Sequence, residues 1–368
     1  MNFENGNQNN NNKTNANYVR ASKTLWWTMD LTFQEVVEAY YSCRKNKRTS
    51  FSQLDFEIDL ERNLYTLYKE LKDETYEISP SICFVVKQPR IREVWAAQFR
   101  DRVVHHIVYN RLSEYWNRRF EADSCACIPE RGTLYGAKRL HRHIRSESKN
   151  WAEDCYYLKC DLANFFTSID KDILWKILDR SIEEQWLKDL THKILFNYPV
   201  ENGIYLSKAW EYALVEGRKK LGNFGIFKGL PIGNLTSQFF ANIVMDLIDK
   251  FVKQVLRATK YIRYVDDCII VSRDKEFLKV CLRELKEKVK EIGMSFNTKK
   301  CFIHNINRGV SFVGQTIYPH RRVPLRNTAI KCFHKTTQEN LHCYLAFFRQ
   351  AGKSYNICNK LIRNSNYE

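Results

Sequence analysis

The stretch "KYIRYVDDCIIVS", residues 260–272, sets two adjacent carboxylates, Asp266 and Asp267, between two runs of strand-forming side chains. Tyr261, Ile262, Tyr264 and Val265 lead in, and Cys268, Ile269, Ile270 and Val271 lead out. Aromatic and β-branched residues of this kind suit a pleated, buried surface, so the stretch predicts a strand, a tight turn and a second strand. Like charges side by side at such a bend repel one another. Something positive should therefore stand in front of them.

The bulk composition points the same way. Lys and Arg total 59 against 42 acidic residues, a formal charge of +17 over 368 residues. Such an excess is compatible with a basic face on any soluble protein, and more pointedly with a polyanionic partner held by counterion release. Twenty tyrosines and twenty-two phenylalanines add surfaces on which bases can stack. With 44% hydrophobic residues the chain can bury a large core. No apolar run reaches membrane-spanning length and no charged-then-apolar leader opens the chain, so a cytoplasmic protein with no membrane partner is expected. The twelve cysteines are scattered without Cys-x-x-Cys pairs, which favours reduced core thiols over disulfides.

Along the chain, residues 1–17 are Asn-rich and read as a disordered tail. Residues 18–150 read as N-terminal helices and a β-hairpin. Helical patterns extend to Tyr76 with aspartates placed to cap them, and "SICFVVKQPRIREVWAAQ" forms a hairpin with a basic connection. Two further helices follow, separated by "PERGT". Residues 151–324 hold the double-Asp hairpin, a strand ending at Asp161, and an insertion at 199–228. They also hold a helix with paired apolar residues every fourth position from Phe239, and an amphipathic helix stopped at Gly293. "VSFVGQTIYP" reads as a closing strand, and 325–368 as basic helices. Cys125 and Cys127 read as packing, and His105 and His106 as structural.

In "YYLKCDLANFF", Leu158, Cys160 and Leu162 alternate with Lys159 and Asp161, placing Asp161 on the polar face of a strand. Asp161, Asp266 and Asp267, converging from neighbouring strands, could hold two divalent metals that align a 3′-hydroxyl and stabilise departing pyrophosphate. Mg2+ suits carboxylates combined with phosphate oxygens, and the metals would supply the missing positive charge. The residues alone leave a polar turn that happens to contain Asp-Asp as the alternative.

"YVDD" at 264–267, preceded by "DLANFF" and followed by "NTKKC" and "FVGQ", resembles a reverse transcriptase palm, and the likeness runs in motif order over about 25–325. "IGNLTSQ" at 232–238 is similar to the bacterial, non-LTR-type enzymes of diversity-generating retroelements and to defence-associated (unknown-group) relatives. The insertion at 199–228 departs from the compact diversity-generating pattern and leans towards the defence branch. The resemblance implies an α+β right-hand polymerase of fingers, palm and short thumb, with an antiparallel palm sheet and packed helices. It makes 18–150 N-terminal helices and fingers, 151–324 palm, and 325–368 a short basic helical thumb.

Residue by residue, the resemblance makes Asp161, Asp266 and Asp267 the metal ligands for two Mg2+ ions, helped by the Leu162 carbonyl. Arg90 and Arg92 would hold the incoming triphosphate, and Phe166 would be the aromatic that clashes with a ribose 2′-OH. Ile232 and Gly233 would form the floor beneath the nucleotide, with Gln238 closing that motif. Lys300 would protonate pyrophosphate, and Phe312, Val313 and Gly314 would make the primer grip. Each has a plainer reading: Phe165 and Phe166 could both be core, Ile232 packing, Arg90 and Arg92 solvated hairpin residues, and Lys299 could replace Lys300.

The implied activity is RNA-directed DNA synthesis from a cognate noncoding RNA, with a template–primer duplex and dNTPs as further partners. The short thumb, with nothing resembling a ribonuclease H or maturase domain after it, implies a ribonucleoprotein and an accessory protein from the same locus. Basic stretches at 131–145, 199–228 and 331–363 lie outside the catalytic motifs, and the RNA is expected to dock on the insertion and the C-terminal helices. The competing reading is a catalytically idle RNA-binding scaffold, against which the complete carboxylate set argues.

Overall fold

The computed structural model describes residues 30–45, 50–88, 90–351 and 355–365. The Asn-rich tail expected at 1–17 lies outside the described residues, as do the first positions of the helical region after it. Among the described residues, no helix is long and apolar enough to cross a membrane.

Three helices, Phe33–Arg44, Phe51–Ile58 and Leu60–Lys72, precede the long helix Phe99–Arg119; the first two pack on it and the third packs on them. The first is capped by Thr32 rather than by an aspartate. The Thr32 hydroxyl accepts from the Glu35 amide while the Glu35 carboxylate accepts from the Thr32 amide at 2.9 Å. That reciprocal box satisfies two orphan donors at once, and Asp59 before Leu60 makes no side-chain cap. Aspartates do cap two helices later in the chain, at Asp170 and Asp274.

Among the described residues, ten strands form three sheets. β1 (Ile82–Val86) and β2 (Arg92–Ala96) form the basic hairpin, and β3 (Tyr156–Asp161) carries the first carboxylate. β4 (Ile204–Tyr205) lies in the insertion, and β5 (Tyr261–Tyr264) and β6 (Asp267–Ser272) form the double-Asp hairpin. β7 (Phe302–Asn305), β8 (Val310–Phe312), β9 (Gln315–Ile317) and β10 (Arg322–Pro324) complete the set. The central sheet is antiparallel in the order β5-β6-β3-β7. "VSFVGQTIYP" is therefore two strands: Val313 (φ 43°) and Gly314 (φ 79°) turn β8 back into β9. Two successive left-handed residues make the tight reversal that alternation alone does not reveal.

The helix Leu235–Lys250 runs behind this sheet and is buried along almost its whole length, which explains the apolar pairs at every fourth position. Residues 199–228, grouped by sequence with 151–324, bond there to Thr167, Asp170 and Lys171 and also build onto the β1–β2 hairpin. β4 adds to β1 in parallel, and Tyr212 donates to the Cys83 carbonyl at 2.7 Å. Lys87 meets Glu211 at 2.7 Å and lies over the Trp210 ring. Gly203 lies so close to Trp95 that any side chain would overlap its ring. At the other end of the chain, the helices Arg326–Lys335, Leu341–Gln350 and Tyr355–Ser365 gather around a small core of Cys332, Phe348, Cys358 and Leu361.

His105 ties two of the central helices together: its Nδ1 lies 2.6 Å from the Thr236 hydroxyl. Burial, with His106 and Arg102 adding repulsion, lowers its pKa to about 3. An unfolded histidine titrates near 6.5, so below that pH the unfolded chain binds the extra proton and this group's contribution to stability is lost as the pH falls. The loss should approach about 1.4 kcal/mol per pH unit between pH 6.5 and 4. Urea unfolding of wild type and His105→Gln across that range should show a flatter profile for the variant; parallel profiles would show that His105 does not carry the acid sensitivity.

Candidate active site

The pairing register brings the carboxylates together. Asp161 at the end of β3 stands opposite Asp267 at the start of β6, and Tyr264 pairs with Asp267 across the hairpin. Val265 and Asp266 are thus a two-residue loop. Its first residue has φ 59°, a left-handed conformation in which a β-branched side chain is strained by about 1–3 kcal/mol. The Leu162 amide donates to the Asp266 carbonyl at 3.3 Å, so the backbone after Asp161 is bound to the loop itself. On its other side this segment bonds to 295–297, which leaves both polar backbone groups of Leu162 facing the loop.

What sustains the strained loop is a buried guanidinium. Arg263 is fully enclosed, and all five of its N–H groups donate. Nε and one Nη bond the two oxygens of Asp249 at 2.8 and 2.7 Å; the others reach Asn242 at 3.1 Å, Ser124 at 2.7 Å and the Val265 carbonyl at 2.9 Å. Tyr261 donates to the same Asp249 at 2.7 Å. One side chain thereby joins β5, the helix Leu235–Lys250, the loop before "PERGT" and the strained turn.

Cations stand in front of the carboxylates, as their repulsion requires. Lys300 Nζ lies 2.7 Å from both oxygens of Asp161. Lys159, two residues before Asp161 on the same strand face, lies 2.8 Å from Asp267 Oδ2 and 2.7 Å from the Ser311 carbonyl of β8. Burial raises the Asp267 pKa to about 6, opposed by Lys159 and reinforced by Asp161 and Asp266. Burial and then Asp161 also raise Asp266, opposed by Lys300 and by Arg92 across the cleft.

Asp267 Oδ1 is buried with no hydrogen-bond partner among the described residues. An orphaned carboxylate oxygen, two carboxyls raised by burial and further by mutual repulsion, and an all-oxygen donor set fit a hard divalent cation. The three side chains are not drawn into one ligand cluster among the described residues, because Lys300 holds Asp161 while Lys159 holds Asp267.

The other residues singled out by sequence divide as follows. Phe165 is core, whereas Phe166 is only half-buried, its ring edge-on to Phe165 at 5.2 Å. Arg90 and Arg92 are exposed on the hairpin. Ile232 and Gly233 are stitched to β2: the Trp95 amide donates to the Ile232 carbonyl at 2.7 Å, and a Cβ on Gly233 (φ 130°) would sit 2.8 Å from the Trp95 carbonyl. Gln238 is exposed and accepts from the Cys127 thiol at 3.3 Å. Cys127 is therefore not packing, unlike the buried Cys125, because its backbone turns left-handed (φ 54°) and directs it outward. Phe312 is buried against Tyr264, with ring centroids 6.4 Å apart, while Val313 and Gly314 form the turn beyond it.

Sequence reasoning gave no role to Lys159, whose signal was its strand face, shared with Asp161. It also passed over Arg263, a single charge in an apolar strand. Arg263→Lys keeps the charge but cannot serve five acceptors in a planar fork. It should lower stability by about 3–5 kcal/mol, the range for breaking a buried ion pair. Equal urea midpoints for variant and wild type would remove the guanidinium from this role.

Residues 85–317 match the family described as "Reverse transcriptase (RNA-dependent DNA polymerase)". Over 383 aligned residues the chain is 23% identical to the putative COX1/OXI3 intron 2 protein of Saccharomyces cerevisiae, covering 90% of this chain and 43% of that one. Over 147 residues it is 26% identical to the retron Ec83 reverse transcriptase of Escherichia coli, covering 39% and 41%. It thus spans less than half the length of these curated relatives. Telomerase from Candida albicans, solved with a fragment of telomeric RNA, superposes with a TM-score of 0.51 at 12% identity, covering 79% of this chain and 53% of that one. The fold is the α+β right-hand polymerase fold, and with a family match over most of its length, the span that carries all three carboxylates, the chain belongs to the reverse transcriptase family.

Proposed function

We propose that the chain is an RNA-directed DNA polymerase that makes cDNA from a cognate noncoding RNA by two-metal nucleotidyl transfer. The single observation carrying this reading is the strand register that sets Asp161 opposite Asp267 with Asp266 in the turn, all three half-buried, with Lys300 on Asp161 and Lys159 on Asp267. A bacterial diversity-generating or antiphage defence system is the proposed setting, supported by "IGNLTSQ" and by a relative named as a retron enzyme. The cytoplasm is the proposed location, and an accessory protein from the same locus a proposed partner. The proposed lobes are fingers in 18–150 with 199–228 packed on them, palm in the rest of 151–324, and thumb in 325–368.

Asp161, Asp266 and Asp267 would hold two Mg2+ ions, which when bound activate the primer 3′-hydroxyl and stabilise the leaving pyrophosphate. Arg90 and Arg92 project from the fingers hairpin to bind the triphosphate of an incoming dNTP, Arg92 being near enough to act on Asp266. The half-exposed ring of Phe166 excludes a 2′-hydroxyl. Ile232, Gly233 and Gln238 line the nucleotide's floor, rigid because the first two are stitched to β2. Lys300 carries its proton at Nζ beside Asp161, in position to pass it to pyrophosphate. The Phe312–Gly314 turn holds the primer end of the template–primer duplex, and Lys159 links that hairpin to Asp267 through the Ser311 carbonyl.

Primer extension on a heteropolymeric RNA with Mg2+ tests the reading. Asp266→Asn should slow extension by at least about a thousandfold while RNA binding persists, since groups acting as a unit fail together; near-normal synthesis by this variant would overturn the metal assignment.

Sugar selection should follow the half-buried ring of Phe166. Phe166→Ala is expected to incorporate ribonucleotides while still using dNTPs, and Phe165→Ala to lose stability without changing sugar choice. The opposite pattern, read from competition between the two nucleotide types, would assign the gate to Phe165.

A further inference from the structure

At the end of β3 remote from the carboxylates the surface opens into a cleft of about 230 Å³, lined by Trp151, Glu153, Asp154, Cys155, Asn307 and Pro319 among others. The six residues of β3 run from it to Asp161, roughly 20 Å at the usual rise. None of the proposed catalytic residues reaches it.

The wall of this cleft is built under strain. Lys149, Asn150 and Trp151 all have left-handed backbones, with φ of 47°, 56° and 75°. Three in succession cost about 1–2 kcal/mol each and persist only where the surroundings over-determine them. They do so here. Arg145 Nε donates to the Asn150 carbonyl oxygen of the side chain at 2.7 Å, the buried Ser148 hydroxyl accepts from the Trp151 amide at 3.1 Å, and Lys149 pairs with Glu153 at 2.5 Å. The result is a tryptophan held at the surface with about half of its area exposed.

That ring is one rung of a ladder. The Arg145 guanidinium lies 5.8 Å from the Trp151 ring centroid, Trp151 meets His320 edge-on at 6.5 Å, His320 meets Tyr318 at 6.4 Å, and Arg321 lies 5.2 Å over Tyr318. The turn bearing Tyr318 to Arg321 is anchored to the helix Thr133–Glu147 by His141, which sits 2.9 Å from the Pro319 carbonyl. Arg145, His320 and Arg321 are exposed. Aromatic rings interleaved with cations are the arrangement that stacks bases and holds the phosphates between them.

We propose that this cleft and ladder form a second nucleic-acid site, which takes an unpaired base of single-stranded RNA stacked on Trp151 with its flanking phosphates on Arg145 and Arg321. Asn307 and Asp154, exposed at the cleft, offer polar contacts to a base edge. A duplex cannot use the site, because its bases are already stacked and their faces are not free. The inference rests on the polymerase reading for its partner. It deepens that reading by giving the RNA a contact at the far end of the palm from the chemistry.

The test is fluorescence anisotropy with a short unstructured heteropolymeric RNA, alongside primer extension on a fully paired template–primer. Trp151→Ala should weaken single-strand binding about tenfold, within the range of one base–aromatic stack. Trp151→Phe should retain most of the affinity, and extension on the duplex should stay at wild-type rate. Arg321→Ala, remote from the strained loop, should weaken single-strand binding about threefold and flatten its salt dependence. Equal single-strand affinities for wild type, Trp151→Ala and Arg321→Ala would overturn the site. A wild-type protein that fails to extend primers yet binds single strands through Trp151 would instead overturn the polymerase reading and leave this site standing.

Discussion

A buried Arg263 is the constraint around which this molecule is arranged. Enclosing a guanidinium is costly unless each donor is met and the charge is paired, and here both conditions hold. Its partners come from two other segments and its own hairpin: Ser124 from the loop before "PERGT", Asn242 and Asp249 from the central helix, and Val265 from the loop it stabilises. Removing any one leaves a buried polar group without a partner, so the four segments are fixed relative to one another. The strained Val265 is tolerable for that reason, and Asp266 beside it is held at the end of the sheet.

The carboxylates are likewise more than a cluster of charges. Their repulsion is answered by lysines that are themselves anchored, Lys300 across both oxygens of Asp161 and Lys159 between Asp267 and β8. Protonation is made easier at Asp266 and Asp267 by burial, which marks the site as one that gains from a further cation.

Much of this was legible in the residues. Alternation placed Asp161 on a polar strand face, and the apolar runs around Asp266 and Asp267 marked their hairpin, because side-chain period is a direct consequence of strand geometry. The fourfold spacing from Phe239 marked a buried helix for the same kind of reason. What escaped notice depends on contacts distant in sequence or on backbone conformations that side chains do not advertise. Nothing about Val265, a β-branched residue, announces φ 59°, and nothing about Cys127 announces that it faces Gln238. β4 is two residues long and shows no period at all, so its pairing with β1 could not be read. Arg263 looked like an interruption in an apolar strand because the partner that neutralises it is fourteen positions upstream.

The seating of the insertion on the hairpin has a mechanical consequence. Buried Glu93 on β2 accepts from the Trp95 indole at 3.1 Å and also from the Leu221 amide within 199–228. A single carboxylate thus serves as a shared axle: the hairpin bearing Arg92 and the insertion cannot turn independently without stranding a charge. Any load resting on the insertion's outer surface would therefore be transmitted to the angle at which Arg92 faces Asp266, a lever arm joining the periphery of the molecule to the mouth of its cleft.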